Sequence, residues 1–530
     1  MKVILINGKI YVEKNKFCQG LLIENGIIRA IGSNEEMANL TGDKVDKVID
    51  LQGKTVLPGF NDSHLHLSGI GAEMVNCNLK GTKSIDEIIQ RGKEFLKANP
   101  QIKVLYGRGW NQDYFIYGEK RLLNRLDLDK ISSEIPIIFE RVCGHLAVGN
   151  TKAIEILGID GTNTIDGGTI EVDAEGKPNG VFTESAISLL HTLIPPKSDE
   201  DREREFLKAM DYALSQGITS VQSCDIMDSK SEVVFKIIKD LFINKKLKIR
   251  YSHQFNYQRI EDFNNYLYTE FNSEGYDEKF LSKGGLKLFN DGSLGARTAL
   301  LSEDYKDAPG IKGVEVLTEK ELMDLVKLAT ENKIRVVTHA IGDGAIKRVI
   351  NVYQKSIENW GNKDNELRHG IIHCQITTME QLKRIANLKI PVMYQPIFLD
   401  YDRKIVENRV GKKLASTSYA FNTLHKLGGK ISFGTDAPVE DCNPFRNLYF
   451  AVTRGGYNME EKMELTTAID AYTIGSAFNE GKENFKGRLN LGFVADLIVL
   501  NKDIFKVPEE EIKDIKVEMA MVNGEIVYQS

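Results

Sequence analysis

Cysteine is scarce: six in 530 residues, scattered as Cys18, Cys77, Cys143, Cys224, Cys374 and Cys442 with no CxxC spacing. That excludes a disulfide framework and argues against cysteine-held zinc, and reduced thiols point to a cytoplasmic protein. No apolar run approaches the ~20 residues of a membrane span. The opening MKVILINGKIYV has no apolar stretch followed by a small-residue cleavage site, so it does not read as a signal peptide. There is no excess of positive charge: 69 Lys and Arg stand against 75 Asp and Glu, a net charge of −6. Nucleic acid and anionic membrane are therefore not expected partners. No GxGxxG turn, low-complexity segment or short-period repeat occurs.

Apolar residues are plentiful at 42%, enough for a large core. Short apolar runs at Val3–Ile6, Gly20–Glu24 and Ile27–Ile31, with Asn7-Gly8 and Asn25-Gly26 between them, predict strands joined by hairpins. The other end reads alike, with Asp496–Leu500, Val517–Val522, an Asn523-Gly524 turn and Glu525–Tyr528. The middle alternates helix and strand. Thr318 with Glu321, and Thr378 with Gln381, predict capping boxes that open helices. Eight strands are expected: Thr55–Leu57 leading to His64, Ile218–Gln222, Leu247–Gln254, Leu286–Phe289, Ile334–Thr338, Gly370–His373, Pro391–Tyr394 and Ile431–Gly434. Such alternation predicts an α/β protein built on a (β/α)8 barrel. An open doubly wound sheet is the alternative. The long gap after the first strand reads as an insertion near the barrel mouth, about 75–196.

The chemistry starts at PGFNDSHLHLSG. His64 and His66, two apart at a strand end, share one face, where neutral imidazoles can bind one ion. Alone, the pair is weak evidence and reads more readily as two solvated histidines at a polar strand end. His339 closes VVTHA, His373 closes GIIHC and Asp436 closes SFGTDAP. Carboxyl ends of barrel strands line the active face. Four of only nine histidines fall at such ends. Lys287, inside the apolar run of GGLKLFNDGSLGARTA, would be costly to bury as an ammonium. A neutral amine can take up CO2 as a carbamate able to bridge two metal ions. A lysine that snorkels out or pairs with Asp291 is the competing reading.

These segments resemble the amidohydrolase superfamily, and within it the branch of large YtcJ-like and N-substituted formamide deformylase-like proteins. The resemblance runs over nearly the whole chain. It rests on NGKIYV, IENGIIRAIG and VLPGFNDSHLHL at the start, on KLFNDGSLGARTA, VVTHAIGD, GIIHC and SFGTDAPV in the middle, and on GRLNLGFVADLIVL and MVNGEIVY at the end, with RVCGHLAVGN inside the insertion. It implies a barrel, 58–485, carrying a small β-sandwich from both chain ends, 1–57 and 486–530. It also implies that His64, His66 and Asp436 hold one ion. A carboxylated Lys287 would bridge to a second ion on His339 and His373. Zinc is expected at one or both sites, with Mn2+ or Fe2+ as alternatives.

The expected activity is hydrolysis of a non-peptide C–N, amide-like bond of a small molecule by metal-activated hydroxide, with Asp436 moving the proton. The same site could serve an ester, lactone or phosphoester, or deaminate a ring. A metal-free scaffold has no use for the ligand set. For substrate contact the sequence offers Trp110, Asp113 and His145, with Arg108, in the insertion, and Asp291, Ser293 and Arg297 after Lys287. A homodimer is the default expectation for such an enzyme.

Overall fold

The computed structural model describes all residues except 41–44, 143–144, 166 and 227–230. Two compact units emerge, one of Met1–Leu67 with Met210–Ser530 and one of Ser68–Ala209. The second is wider than the 75–196 drawn from sequence.

The first unit holds the eight-stranded barrel. Its strands are β1 (Phe60–Leu65), β2 (Ile218–Ser223), β3 (Arg250–Asn256), β4 (Leu281–Phe289), β5 (Val336–Ala340), β6 (Gly370–His373), β7 (Val392–Tyr394) and β8 (Ile431–Phe433). Neighbours pair in parallel in this order. Just past β8 the ring closes on β1 by two backbone bonds. Asp436 N–H donates to the His64 carbonyl, and His66 N–H to that of Ala437, both at 2.8 Å.

The first barrel strand is not the run expected. Thr55–Pro58 pairs antiparallel with Leu497–Leu500 in a different sheet, and β1 starts two residues later. Gly59 is the crossing point. Its N–H reaches the Asp496 carbonyl, while Phe60 N–H reaches the Gly217 carbonyl at the start of the neighbouring β2, each at 3.0 Å. A Cβ on Gly59 would lie 2.1 Å from Thr219 Oγ1. The apolar run Thr55–Leu57 has the composition of a buried barrel strand, while the polar FNDSHL segment does not advertise one, so the pairing is what assigns each to its sheet.

Both chain ends build the sandwich. One sheet has four strands, ordered Ile27–Gly32, Gly20–Glu24, Lys2–Ile6, Lys47–Asp50. The other has six: Glu525–Gln529, Val517–Val522, Leu497–Leu500, Thr55–Pro58, Lys9–Glu13, Lys16–Cys18. Alternate residues (Val3 and Leu5, Leu21 and Ile23, Leu497 and Val499, Met519 and Met521) fill the shared core. Asn25-Gly26 and Asn523-Gly524 make two-residue hairpins with both residues at positive φ. Asn7-Gly8 does not. Only Asn7 has positive φ, and the flanking strands enter different sheets, so this pair turns a corner between layers.

Helices cover the barrel. Both expected capping boxes form, opening Glu319–Glu331 and Met379–Asn387. In the first, Leu322, Leu325, Val326 and Ala329 are buried, as their helical spacing requires. No helix among the described residues is long and apolar enough to cross a membrane.

Gly434 sits where β8 meets β1. A Cβ there would lie 2.7 Å from His64 N, 2.9 Å from His64 O and 2.7 Å from Asp62 Oδ1. Backbone cannot swing aside as a side chain can. Gly434→Ala should therefore destabilise the protein by about 3 kcal/mol, at the upper end of ordinary overpacking. Chemical denaturation of both proteins measures it, and an unchanged midpoint would refute the clash.

The second unit has its own six-stranded sheet, from Gly168–Val172 at one edge to Cys77–Asn78 at the other. It also has its own apolar clusters, one around Ile88, Trp110 and Phe139 and one around Ile138, Phe182 and Leu190.

Candidate metal centre

The barrel strands deliver their terminal side chains to one place. His64 and His66 leave β1 on the same face, His373 ends β6, and Asp436 follows β8. Asp436 Oδ1 lies 3.3 Å from His64 Nε2 and 3.2 Å from His66 Nε2. Its other oxygen lies 3.9 Å from His373 Nε2. Among the described residues, His64, His373 and Asp436 each offer a ligand atom, all within 4.8 Å of one another. His339, at the end of β5, has its ring 4.5 Å from that of His373.

The remaining ring nitrogens are engaged. His64 Nδ1 is 2.5 Å from Gln254 Oε1, His66 Nδ1 is 2.8 Å from the Cys224 carbonyl, and His373 Nδ1 is 2.7 Å from Gln395 Oε1. The two amide orientations are themselves fixed, because Gln254 Nε2 donates to Ser63 O and Gln395 Nε2 to Met393 O. Carbonyl oxygens only accept, so each Nδ1 carries a hydrogen and each Nε2 is the nitrogen turned to Asp436. His339 is the reverse: its Nε2 faces the Gly292 carbonyl at 3.1 Å, leaving Nδ1 for a ligand. Metal-binding histidines are oriented in this manner.

Charge agrees. Burial pulls His64 down to about 4 and His373 to about 3, and His339 also falls well below the ordinary value. These three rings are neutral at pH 7, the form that binds metal. Burial works to raise Asp436, but the imidazoles of His64 and His66 hold it well below the usual carboxylate range. Burial would likewise lower His66, yet Asp436 and the Cys224 carbonyl lift it well above. His66 and Asp436 thus stabilise each other's charged forms across 3.2 Å. The neutral imidazoles of His64, His339 and His373 near the Asp436 carboxylate, each with its other ring nitrogen already partnered by protein, fit a divalent ion. The backbone is strained to aim them: His373 and Asp436 have φ of 75° and 55°, unusual for non-glycine residues.

Lys287 on β4 is fully buried, so it does not snorkel. Nor does it pair with Asp291. Its Nζ lies 3.3 Å from the Leu288 carbonyl and 3.7 Å from the centre of the Phe289 ring. Burial lowers it to about 8, partly offset by neighbours that include Asp436 and Asp291.

The residues expected to touch substrate lie as follows. Asp291 is buried, its carboxylate accepting the N–H groups of Leu300, Ile341 and Gly342 and standing 3.4 Å from His339 Nε2. It fastens the loops after β4 and β5. The half-buried Arg297 pairs with Asp307 at 2.9 Å, and Ser293 N–H donates to Thr298 Oγ1 in the same loop. In the second unit, Trp110 is fully buried and its indole N–H donates to the Phe139 carbonyl, so it packs that unit's core. Asp113, His145 and Arg108 are exposed there and pair with Arg141, Glu184 and Glu140.

Three supporting residues escaped the sequence reading. Asp62, fully buried, accepts from His64 N–H and from the N–H and hydroxyl of Thr435, joining β1 to the segment after β8. It lies two before His64, and the period-two argument that selected the histidines also selects it. Gln254 and Gln395 end or directly follow the third and seventh expected strands, where a polar residue reads as a solvated end. Gln254→Leu should weaken metal binding by about ten- to a hundredfold, as is usual when such a partner is lost. Competition with a chelator measures this, and an unchanged affinity would refute it.

The amidohydrolase family model matches residues 47–528. The chain is 31% identical to "Putative amidohydrolase YtcJ" of Bacillus subtilis, with all of both chains covered. It is 25% identical to the N-substituted formamide deformylase of Arthrobacter pascens, over all of this chain and 98% of that one. The crystal structure of an uncharacterized metal-dependent hydrolase from Pyrococcus furiosus superposes with a TM-score of 0.78 at 31% identity, covering 96% of this chain and 100% of that one.

Proposed function

Because the chain belongs to the amidohydrolase family, we propose that it is a metal-dependent hydrolase of a carbon–nitrogen, amide-like bond in a small molecule. One observation carries the reading: the Nε2 atoms of His64, His66 and His373 converge on the Asp436 carboxylate while each Nδ1 is tied to a protein oxygen. His64, His66 and Asp436 would hold one ion, with zinc the best match to nitrogen and carboxylate donors. His339 and His373 would hold a second, with Lys287, once carboxylated, between the two. An ion bound there supplies a Lewis acid for the substrate carbonyl and lowers the pKa of water to about 7.

The chain's own residues do the rest. Asp436 receives the proton of the attacking water and passes it to the leaving nitrogen as the C–N bond breaks. Asp62 and Gln254 keep His64 in register with Asp436. Asp291 holds the His339 loop, so the ring cannot turn away. The deformylase relative suggests N-formyl amines as the first substrate class to try.

The test is a panel of N-formyl amines, N-acyl amino acids, dipeptides, cyclic amides, lactones and phosphotriesters on zinc- or manganese-loaded protein. Amine release that chelation abolishes and metal restores supports the proposal. Turnover of lactones or phosphotriesters alone would overturn the amide assignment. Protein that retains no metal would overturn the whole reading.

A further inference from the structure

His66 is the most exposed of the ligand set nearest Asp436, its side chain 22% accessible. Its aim depends on one carbonyl, that of Cys224. What holds that carbonyl is a short polar chain behind it. Cys224 N–H donates to the Leu65 carbonyl at 2.8 Å. Leu67 N–H donates to Ser223 Oγ at 2.9 Å. Residues on both sides of His66 are thus fastened to residues 223 and 224. Asp225 closes the arrangement. Its Oδ2 accepts the Ser223 hydroxyl at 2.6 Å and the Tyr251 hydroxyl, from β3, at 2.5 Å. Hydroxyl-to-carboxylate bonds of this length belong to the strong, charge-assisted class. Asp225 is buried, so water competes little for it. Turning the Cys224 peptide would break this chain at several points.

We propose that Asp225 is a positioning residue for metal binding, acting through Ser223, Tyr251 and the Cys224 carbonyl to fix the ring of His66. The inference rests on the reading of His66 as a metal ligand. Asp225 itself does not touch the ion.

The test measures zinc dissociation constants by chelator competition for wild type, Asp225→Asn and Tyr251→Phe, with the absorption spectrum of the cobalt-loaded proteins and the melting temperature of each metal-free protein. Asp225→Asn should weaken zinc by about ten- to a hundredfold and Tyr251→Phe by about three- to tenfold, with altered cobalt bands. A residue that merely stiffened the turn would lower the melting temperature and leave the dissociation constant and cobalt bands unmoved, and that result overturns the inference. If Asp225→Asn does not fold, Tyr251→Phe decides alone, and a wild-type zinc affinity in it is fatal. Wild type that binds no zinc would instead refute the metal-site reading beneath.

Discussion

Asp436→Asn should lower kcat by about a thousandfold, within the range for loss of a general acid–base group and worth ~4 kcal/mol of barrier. The asparagine keeps an oxygen where Oδ1 faces His64 and His66 and loses only the second carboxylate oxygen, the one turned toward His373. The barrel closure at this point uses the backbone N–H of Asp436, which the substitution leaves alone. Metal content should therefore stay near wild type and KM should change little, the signature of an interaction made only in the transition state. Steady-state kinetics on protein whose metal content has been measured settles it. A metal-replete variant with near-normal kcat would remove Asp436 from proton transfer.

The second large effect concerns Lys287. Its amine is buried beside an aromatic face and, among the described residues, has one weak backbone contact and no ion pair. A cation in that position is poorly compensated, whereas a carbamate beside ligated ions is well compensated. Lys287→Ala should lower activity by at least about a hundredfold, ~2.7 kcal/mol. Small carboxylic acids should restore part of it by filling the space and offering two oxygens. Mass spectrometry under non-denaturing conditions should show the wild-type chain heavier by CO2. An uncarboxylated, metal-loaded and fully active wild type would refute the role.

The candidate ligand set was legible because barrel geometry turns a rule of position into a rule of chemistry. Residues at carboxyl strand ends converge, and period two puts His64 and His66 on one side. The second layer was less legible. Gln254 and Gln395 look in sequence like ordinary polar strand ends, and only the closed ring places them inside. Thr55–Leu57 is an apolar run of the kind expected for a barrel strand, whereas Phe60–Leu65 carries Asn61, Asp62, Ser63 and His64 between its apolar ends, and the sheet each joins is decided by partners far along the chain. Asn7-Gly8 has hairpin composition but lacks the second left-handed residue a hairpin of that type needs. Trp110 shows the limit of composition: an aromatic suited to a binding surface is spent on packing.

The seam between β1 and the segment after β8 has a bearing on how this protein is made. The residues that stitch the ring shut, His64 and Asp436, are the same ones whose side chains meet in the centre. During synthesis, His64 and His66 emerge well before the segment that carries Asp436. On the proposed reading, the pair would lack its carboxylate partner until that segment docks, and a product without the segment that carries Asp436 would be inactive. Bound metal in a preparation would then serve as a count of correctly finished molecules.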